Sequence, residues 1–209
     1  MKPNEVLEWI KSKPWDKKDR LRKVIDSIVC EEKFSKKLKL SLIKNFLKGT
    51  YCSIYQNDYR HKNLLIFEGA QGLGKTSFLR SLVGANWGGN KLWFGEGLEV
   101  DILCKDSLIS SLNYWICEMV DFSKLMKSYP LHLRAFLKRP KYKVRLPYQK
   151  KETILQKNTQ FVATTNEKMQ GIKGLDFFVV IPVVEFKDIS KIDMQQVWAQ
   201  VAHLVGGKL

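Results

Sequence analysis

Gly69, Gly74, Lys75 and Thr76 stand in the order G-x-x-x-x-G-K-[ST], inside the stretch LLIFEGAQGLGKTSFLRSL at residues 64–82. That spacing has a specific chemistry. Glycines free the backbone so that successive N–H groups turn towards phosphate oxygens, and the helix that follows adds its positive N-terminal end. Lys75 is expected to reach the β- and γ-phosphates of ATP, and the Thr76 hydroxyl to ligate Mg2+. Gln71, Gly72 and Ser77 complete the expected nucleotide-binding set. An apolar strand before the loop and an apolar-faced helix after it provide the structural context this motif requires.

Hydrolysis needs an acid at the end of a neighbouring strand. NYWICEMVDF, residues 113–122, offers Glu118 and Asp121 after an apolar run, to hold magnesium and orient the attacking water. Glu118 joins Thr76 as the expected metal-holding pair. FVATTN, residues 161–166, is a second apolar run with a polar tip, and Asn166 there is placed to sense the γ-phosphate. A third constellation is cationic. Residues 134–151 hold eight lysines and arginines and no acid, with Tyr142 and Tyr148 interleaved. Cations neutralise backbone phosphates and aromatic rings stack on unpaired bases. Lys138, Lys141, Tyr142, Lys143, Tyr148, Lys150 and Lys151 are the DNA-facing candidates. Arg139 and Arg145 suit either that task or a neighbouring subunit's γ-phosphate.

The elements that must position these groups alternate in type. Residues 1–60 read as a basic helical region, with fourteen Lys or Arg against seven acids over residues 1–55; NEVLEWIKS, DRLRKVIDSIV and FSKKLKLSLIKNFLKGTYCSIY have helical spacing, the last broken at Gly49. From residue 61 to 209 the pattern is strand 63–68, helix 75–83, a Gly/Trp-rich loop at 84–97, a helix near 105–112 and a second core strand in NYWICEMVDF. A helix follows around 130–138, then a basic hairpin or long loop over 139–157, core strands in TQFVATTN and DFFVVIPV, and a closing amphipathic helix in MQQVWAQVAHLV. Near-continuous apolar strands alternating with helices predict an α/β fold, a mainly parallel sheet between helices.

The bulk numbers bound the function. The chain has 209 residues and a formal charge of +15, a field that favours a polyanion. No run of about 18 apolar residues predicts a membrane span, and the charged N-terminus does not read as a secretory signal. The four cysteines, Cys30, Cys52, Cys104 and Cys117, are scattered, as expected of reduced and mostly buried thiols in a cytoplasmic protein.

Six motifs in order resemble the virulence-associated E ATPases, relatives of superfamily 3 helicases in phages and other mobile elements. They are PWDKKDRL at 14–21, FEGAQGLGKTSFLRSLVGANW at 67–87, WICEMVDF at 115–122, FLKRPKYKVRLPYQK at 136–150, VATTNE at 162–167 and QVWAQVAHLV at 196–205. The resemblance implies an AAA+-type phosphate-loop NTPase that assembles as a ring, expected to be a hexamer, and couples ATP hydrolysis to movement on DNA. It also implies a separate primase or replication initiator as partner and the bacterial host cytoplasm as location. In superfamily 3 enzymes the hairpin before the sensor strand lines a central pore, which is where residues 139–157 fall. One departure bears on mechanism: where the family carries arginines after the sensor strand, this chain has Leu175, Asp176 and Phe177. A trans-acting arginine from that position is therefore in doubt, and a nucleotide-binding replication adaptor with weak hydrolysis is the alternative. A small-molecule kinase is a third reading, disfavoured by the basic hairpin and basic N-terminus.

Overall fold

The computed structural model describes residues 3–84, 93–120, 122–145, 151–169 and 177–206. Among these, eight helices and eight strands alternate: α1 (Pro3–Lys11), α2 (Leu21–Asp26), β1 (Ile28–Cys30), α3 (Lys36–Tyr55), β2 (Leu64–Glu68), α4 (Lys75–Ser81), β3 (Phe94–Leu98), α5 (Lys105–Ser111), β4 (Ile116–Met119), α6 (Phe122–Ser128), α7 (Pro130–Lys138), β5 (Lys141–Val144), β6 (Thr153–Gln156), β7 (Gln160–Thr165), β8 (Phe178–Phe186) and α8 (Met194–Val205).

The main sheet has the order β1-β8-β2-β7-β4-β3. The five strands from β8 to β3 run parallel, and β1 alone is antiparallel, at the β8 edge. Strands buried on both faces read as unbroken apolar runs, which is why LLIF of β2 and ICEM of β4 are fully buried along their lengths. One side of the sheet is covered by α1, α2, α3, α4 and α8 around Trp93, Trp115 and Trp198; the other by α6 and α7 around Phe122, Phe136 and Phe161. The tryptophans form a chain, Trp93 to Trp115 at 6.2 Å and Trp115 to Trp198 at 4.5 Å between centroids. Two of the indole nitrogens stitch the layers: Trp115 donates to the Thr50 carbonyl at 3.0 Å and Trp198 to that of Leu82 at 2.7 Å. A buried indole N–H without an acceptor is costly, so these pairings dictate ring orientation.

Four local expectations are corrected. The helical reading of DRLRKVIDSIV ends early. Beyond Asp26 the chain turns at Ser27, whose carbonyl accepts from Lys187 N, and Ile28–Cys30 adds to the β8 edge as β1. Within the stretch read as a Gly/Trp-rich loop, residues 94–98 form β3. Its glycines, ordinarily strand-weakening, have local reasons: a Cβ at Gly95 would lie 2.7 Å from the Tyr114 ring, and Gly97 has φ +61° in a bulge. Helix α6 begins directly after the acid strand, and the sequence reading had no element there. Finally, α3 runs unbroken through Gly49, where a Cβ would stand 3.2 Å from the Tyr59 hydroxyl and 3.3 Å from Gln160. That glycine permits close packing rather than ending the helix.

The segment ahead of α2 is fastened to α8 by three buried glutamines. Gln195 donates to the Ile10 and Lys13 carbonyls at 2.7 and 2.8 Å, and Gln196 accepts from Asp16 N and donates to Pro14 O. Gln200 accepts from the N–H groups of Arg20 and Leu21 and donates to Asp19. A loop buried against a helix needs partners for its backbone polar groups, and these side chains supply them. The cysteines are free; Cys52 and Cys117 are buried, whereas Cys104 is exposed. No helix among the described residues is long and apolar enough to cross a membrane.

Candidate functional site

Strand β2 delivers the chain at the carboxyl edge of the sheet, between β8 and β7, and the loop 69–74 turns there into α4. In open α/β sheets ligands bind at such edges, in the crevice outside the carboxyl ends of the strands. The motif glycines are required for different reasons. A Cβ on Gly69 would meet the Val183 carbonyl at 2.5 Å, so this position needs the smallest side chain. Gly72 and Gly74 have open space around them but φ values of +83° and +81°, left-handed backbone that other residues adopt at a cost. Gly74 thereby caps α4 and aims the first turn of that helix into the loop.

Lys75 is buried beneath this loop. Its Nζ donates to Gly69 O at 2.6 Å, Ala70 O at 2.8 Å and Asn166 Oδ1 at 2.8 Å. Burial lowers its pKa, an effect that the nearby Glu118 charge opposes. Glu118 is fully buried on β4 and accepts three hydrogen bonds: from the hydroxyls of Thr76 at 2.7 Å and Thr164 at 2.8 Å on Oε1, and from Gly97 N at 3.2 Å on Oε2. An isolated carboxylate in this environment is strongly disfavoured, and these donors stabilise its charge. Lys75, Thr76, Glu118 and Asn166 thus form one cluster across α4, β4 and the tip of β7. The sheet order explains the assembly: β7 lies between β2 and β4, so its polar end bridges the loop and the acid. Gln71, Gly72 and Ser77 are exposed at the loop and first helical turn. Asp121 lies outside the described residues.

Two contributors to this site escaped the sequence reading, and a third has another partner than expected. Thr164, expected with Thr165 and Asn166 at the polar tip to position water or sense the γ-phosphate, instead fixes Glu118 through its side chain. Gly97 does the same through its backbone, a role that residue type alone does not reveal. Glu68 ends β2 and accepts from Met169 N at 2.6 Å, tying the segment after β7 to the strand that carries the loop.

The basic constellation forms the β5–β6 hairpin and its root. Lys141 pairs with Asp58 at 2.8 Å and Lys143 with Glu152 at 2.7 Å, both exposed pairs. Tyr142 faces inward, its ring 5.4 Å from Phe136 and its hydroxyl donating to the Phe136 carbonyl, and burial raises its pKa. Lys138 stands 5.1 Å over the ring of buried Phe177, a cation–π contact. Arg139, Arg145 and Lys151 are exposed. Tyr148 and Lys150 lie outside the described residues, as do Leu175 and Asp176.

Lys157 secures the hairpin root. Its backbone N–H donates to Pro140 O at 2.8 Å and its buried Nζ to the Leu137 carbonyl. Burial pulls its pKa from 10.5 to about 7. Burial, helped by the Lys157 charge, likewise brings His61 from 6.5 to about 3. Both folded values lie below the unfolded ones, so both groups stabilise the fold less as pH falls. Between about pH 7 and 10.5 the unfolded chain carries the Lys157 proton and the folded chain does not. Stability therefore rises with pH there, by up to about 1.4 kcal/mol per unit. His61 adds a second rise between pH 3 and 6.5. Urea unfolding at pH 7 and 9.5 is expected to show this gain in the natural chain and a flatter response in Lys157→Met; equal slopes in the two proteins would mean Lys157 stays charged when folded.

The family model for the virulence-associated protein E-like domain matches residues 10–205. No curated protein matches the chain. Among solved structures, three apo structures of the NrS-1 C-terminal region share its fold, at 16, 17 and 16% identity with TM-scores of 0.52, 0.56 and 0.53. They are matched over 93, 95 and 96% of this chain, which spans 45, 47 and 48% of theirs.

Proposed function

The chain belongs to the virulence-associated protein E-like family, and from that premise we propose that it is an ATP-hydrolysing, DNA-dependent motor of the superfamily 3 type, serving replication of a phage or other mobile element as an oligomeric ring, a hexamer in the simplest form. The observation that carries the reading is the convergence of two hydrogen-bonded pairs, Lys75 with Asn166 and Thr76 with Glu118, at the carboxyl ends of adjacent strands. The strand order, with a sensor-like strand between the loop strand and the acid strand, supports an AAA+-type phosphate-loop fold.

In this mechanism a triphosphate replaces the three oxygen acceptors now held by Lys75, which keeps its charge against the β- and γ-phosphates. Asn166, released from Lys75, turns its amide to the γ-phosphate or to the attacking water. Glu118 orients that water. Thr76 and Glu118 offer hard oxygen donors, which suit magnesium; such an ion keeps several waters and takes few protein ligands. Bound there, Mg2+ would neutralise charge on the phosphates. The exposed cations of the hairpin, Arg139, Arg145 and Lys151, are assigned to DNA or to the neighbouring nucleotide; Lys150, outside the described residues, is assigned to DNA from the sequence alone.

A replication adaptor that binds nucleotide without strong turnover is the second reading. Two observations favour it: Lys141 and Lys143 already have acidic partners, and Phe177 is packed in the core at a position where an arginine would be needed to act in trans. Measuring ATP turnover with and without single-stranded DNA separates the two. The motor predicts stimulation by DNA, and Glu118→Gln retaining ATP binding while losing about 10²- to 10⁴-fold in turnover, the usual worth of a general base. A low rate indifferent to DNA and to Glu118→Gln would favour the adaptor.

A further inference from the structure

A cavity of about 710 Å³ opens beside α4. The helix presents Thr76 to Glu118 but Ser77, Phe78 and Ser81 to this cavity. Its other walls are the end of α1, through Trp9, Ser12 and Lys13, and the connector from Phe186 to Asp193 that leads into α8. Neither Glu118 nor Asn166 lines it. If the γ-phosphate end of a nucleotide lies at Lys75 and Asn166, the remainder of the molecule leaves the loop on the Ser77 side, where this space begins. Small-molecule sites are typically about 300–1,000 Å³, so a nucleoside fits.

The cavity's chemistry narrows the base. Phe186 stacks on Phe78 with centroids 4.6 Å apart, giving the wall an aromatic platform. Several polar side chains around it are already engaged within the chain: Ser12 with Trp9 O at 2.8 Å, Ser81 with Phe78 O at 2.6 Å, Ser190 with Asp188 at 2.8 Å and Gln195 with the Ile10 and Lys13 carbonyls. Lys13, Lys187 and Lys191 are exposed and suit ribose or phosphate oxygens better than a base edge. A site that reads shape and stacking favours the larger ring system. It distinguishes exocyclic groups weakly, because strong rejection requires buried hydrogen-bonding groups that the wrong ligand leaves unpaired.

We propose that this cavity holds a purine base and accepts adenine and guanine nearly alike, with α1 forming its outer wall. The proposal rests on the phosphate-loop reading above. Calorimetric titration of the full chain with ATP, GTP, CTP, UTP and inorganic tripolyphosphate tests both at once. ATP and GTP are expected within about tenfold of each other, and CTP and UTP about tenfold or more weaker, since stacking scales with ring area. Ser81→Trp, and Ser190→Trp from the opposite wall, are expected to reduce ATP and GTP to the level of tripolyphosphate while tripolyphosphate binding is retained, which also shows that the variants are folded. Equal binding of all four nucleotides, or ATP binding unmoved in both tryptophan variants, would overturn the cavity assignment and leave the loop intact. A preference for ATP over GTP beyond about a hundredfold would overturn the purine tolerance. Failure of every nucleotide and of tripolyphosphate to bind would instead refute the phosphate-loop reading, and the cavity would lose its ligand with it.

Discussion

Lys75→Ala is expected to abolish tight triphosphate binding and reduce turnover to the limit of detection. The lysine ammonium is the buried cation beneath the loop, and in this structure it spends all three protons on oxygen acceptors: two loop carbonyls and Asn166. A triphosphate would take over at least two of those contacts as charge-assisted bonds. At about 1.5–3 kcal/mol each, their loss amounts to about 3–6 kcal/mol, or about 10²- to 10⁴-fold in affinity. Alanine also removes the charge that offsets the phosphates in the transition state, so the variant fails even at saturating nucleotide. Titration calorimetry and a turnover assay check this, with thermal unfolding as the control for folding. Near-normal turnover would remove the loop from the proposed mechanism.

The second large effect lies at the hairpin. Phosphoryl transfer builds charge that an arginine from a neighbouring subunit can stabilise, at about 10³–10⁵ in rate where measured in GTPases. Phe177 cannot serve, and its ring is buried against Phe178 and Lys138. Arg139, which caps the end of α7, and Arg145, directly after β5, are exposed and stand at the root and along the arm of the hairpin. The expected result is that Arg139→Ala or Arg145→Ala keeps its ATP affinity but loses about 10³- to 10⁵-fold in turnover. In addition, the natural chain's specific turnover should rise steeply with protein concentration as rings form. Mixing the arginine variant with Lys75→Ala protein should restore part of the activity at interfaces that pair an intact loop with an intact arginine. Turnover independent of concentration, with both arginine variants fully active, would rule out the trans role and leave these residues to DNA.

Local sequence determined the elements of the site. The strand-loop-helix of residues 64–81 was legible because the glycine loop constrains backbone conformation directly: Gly72 and Gly74 adopt left-handed φ, and few residue types allow that. The apolar runs of β2, β4, β7 and β8 were legible because a strand covered on both faces has no polar side to vary. Two edge strands were not. Ile28–Cys30 is only three residues long, and β3 contains two glycines whose reasons are a neighbouring ring and a bulge. Edge pairing depends on a partner more than a hundred residues away in β1's case, which periodicity within a short window does not contain.

Which side chains meet was decided by the tertiary structure alone. Nothing near Glu118 in the chain identifies Thr164 or the Gly97 amide as its donors; they arrive because β7 and β3 flank β4 in the sheet. The same holds for Tyr142, read from sequence as a stacking aromatic among lysines and found packed on Phe136, and for the glutamines of α8, whose burial depends on the backbone of residues 10–21 lying across them. Residue type sets what a group can do, and spacing sets the local conformation that presents it. Burial, charge environment and partner are properties of packed neighbours, and those come from distant segments joined only when the sheet is assembled.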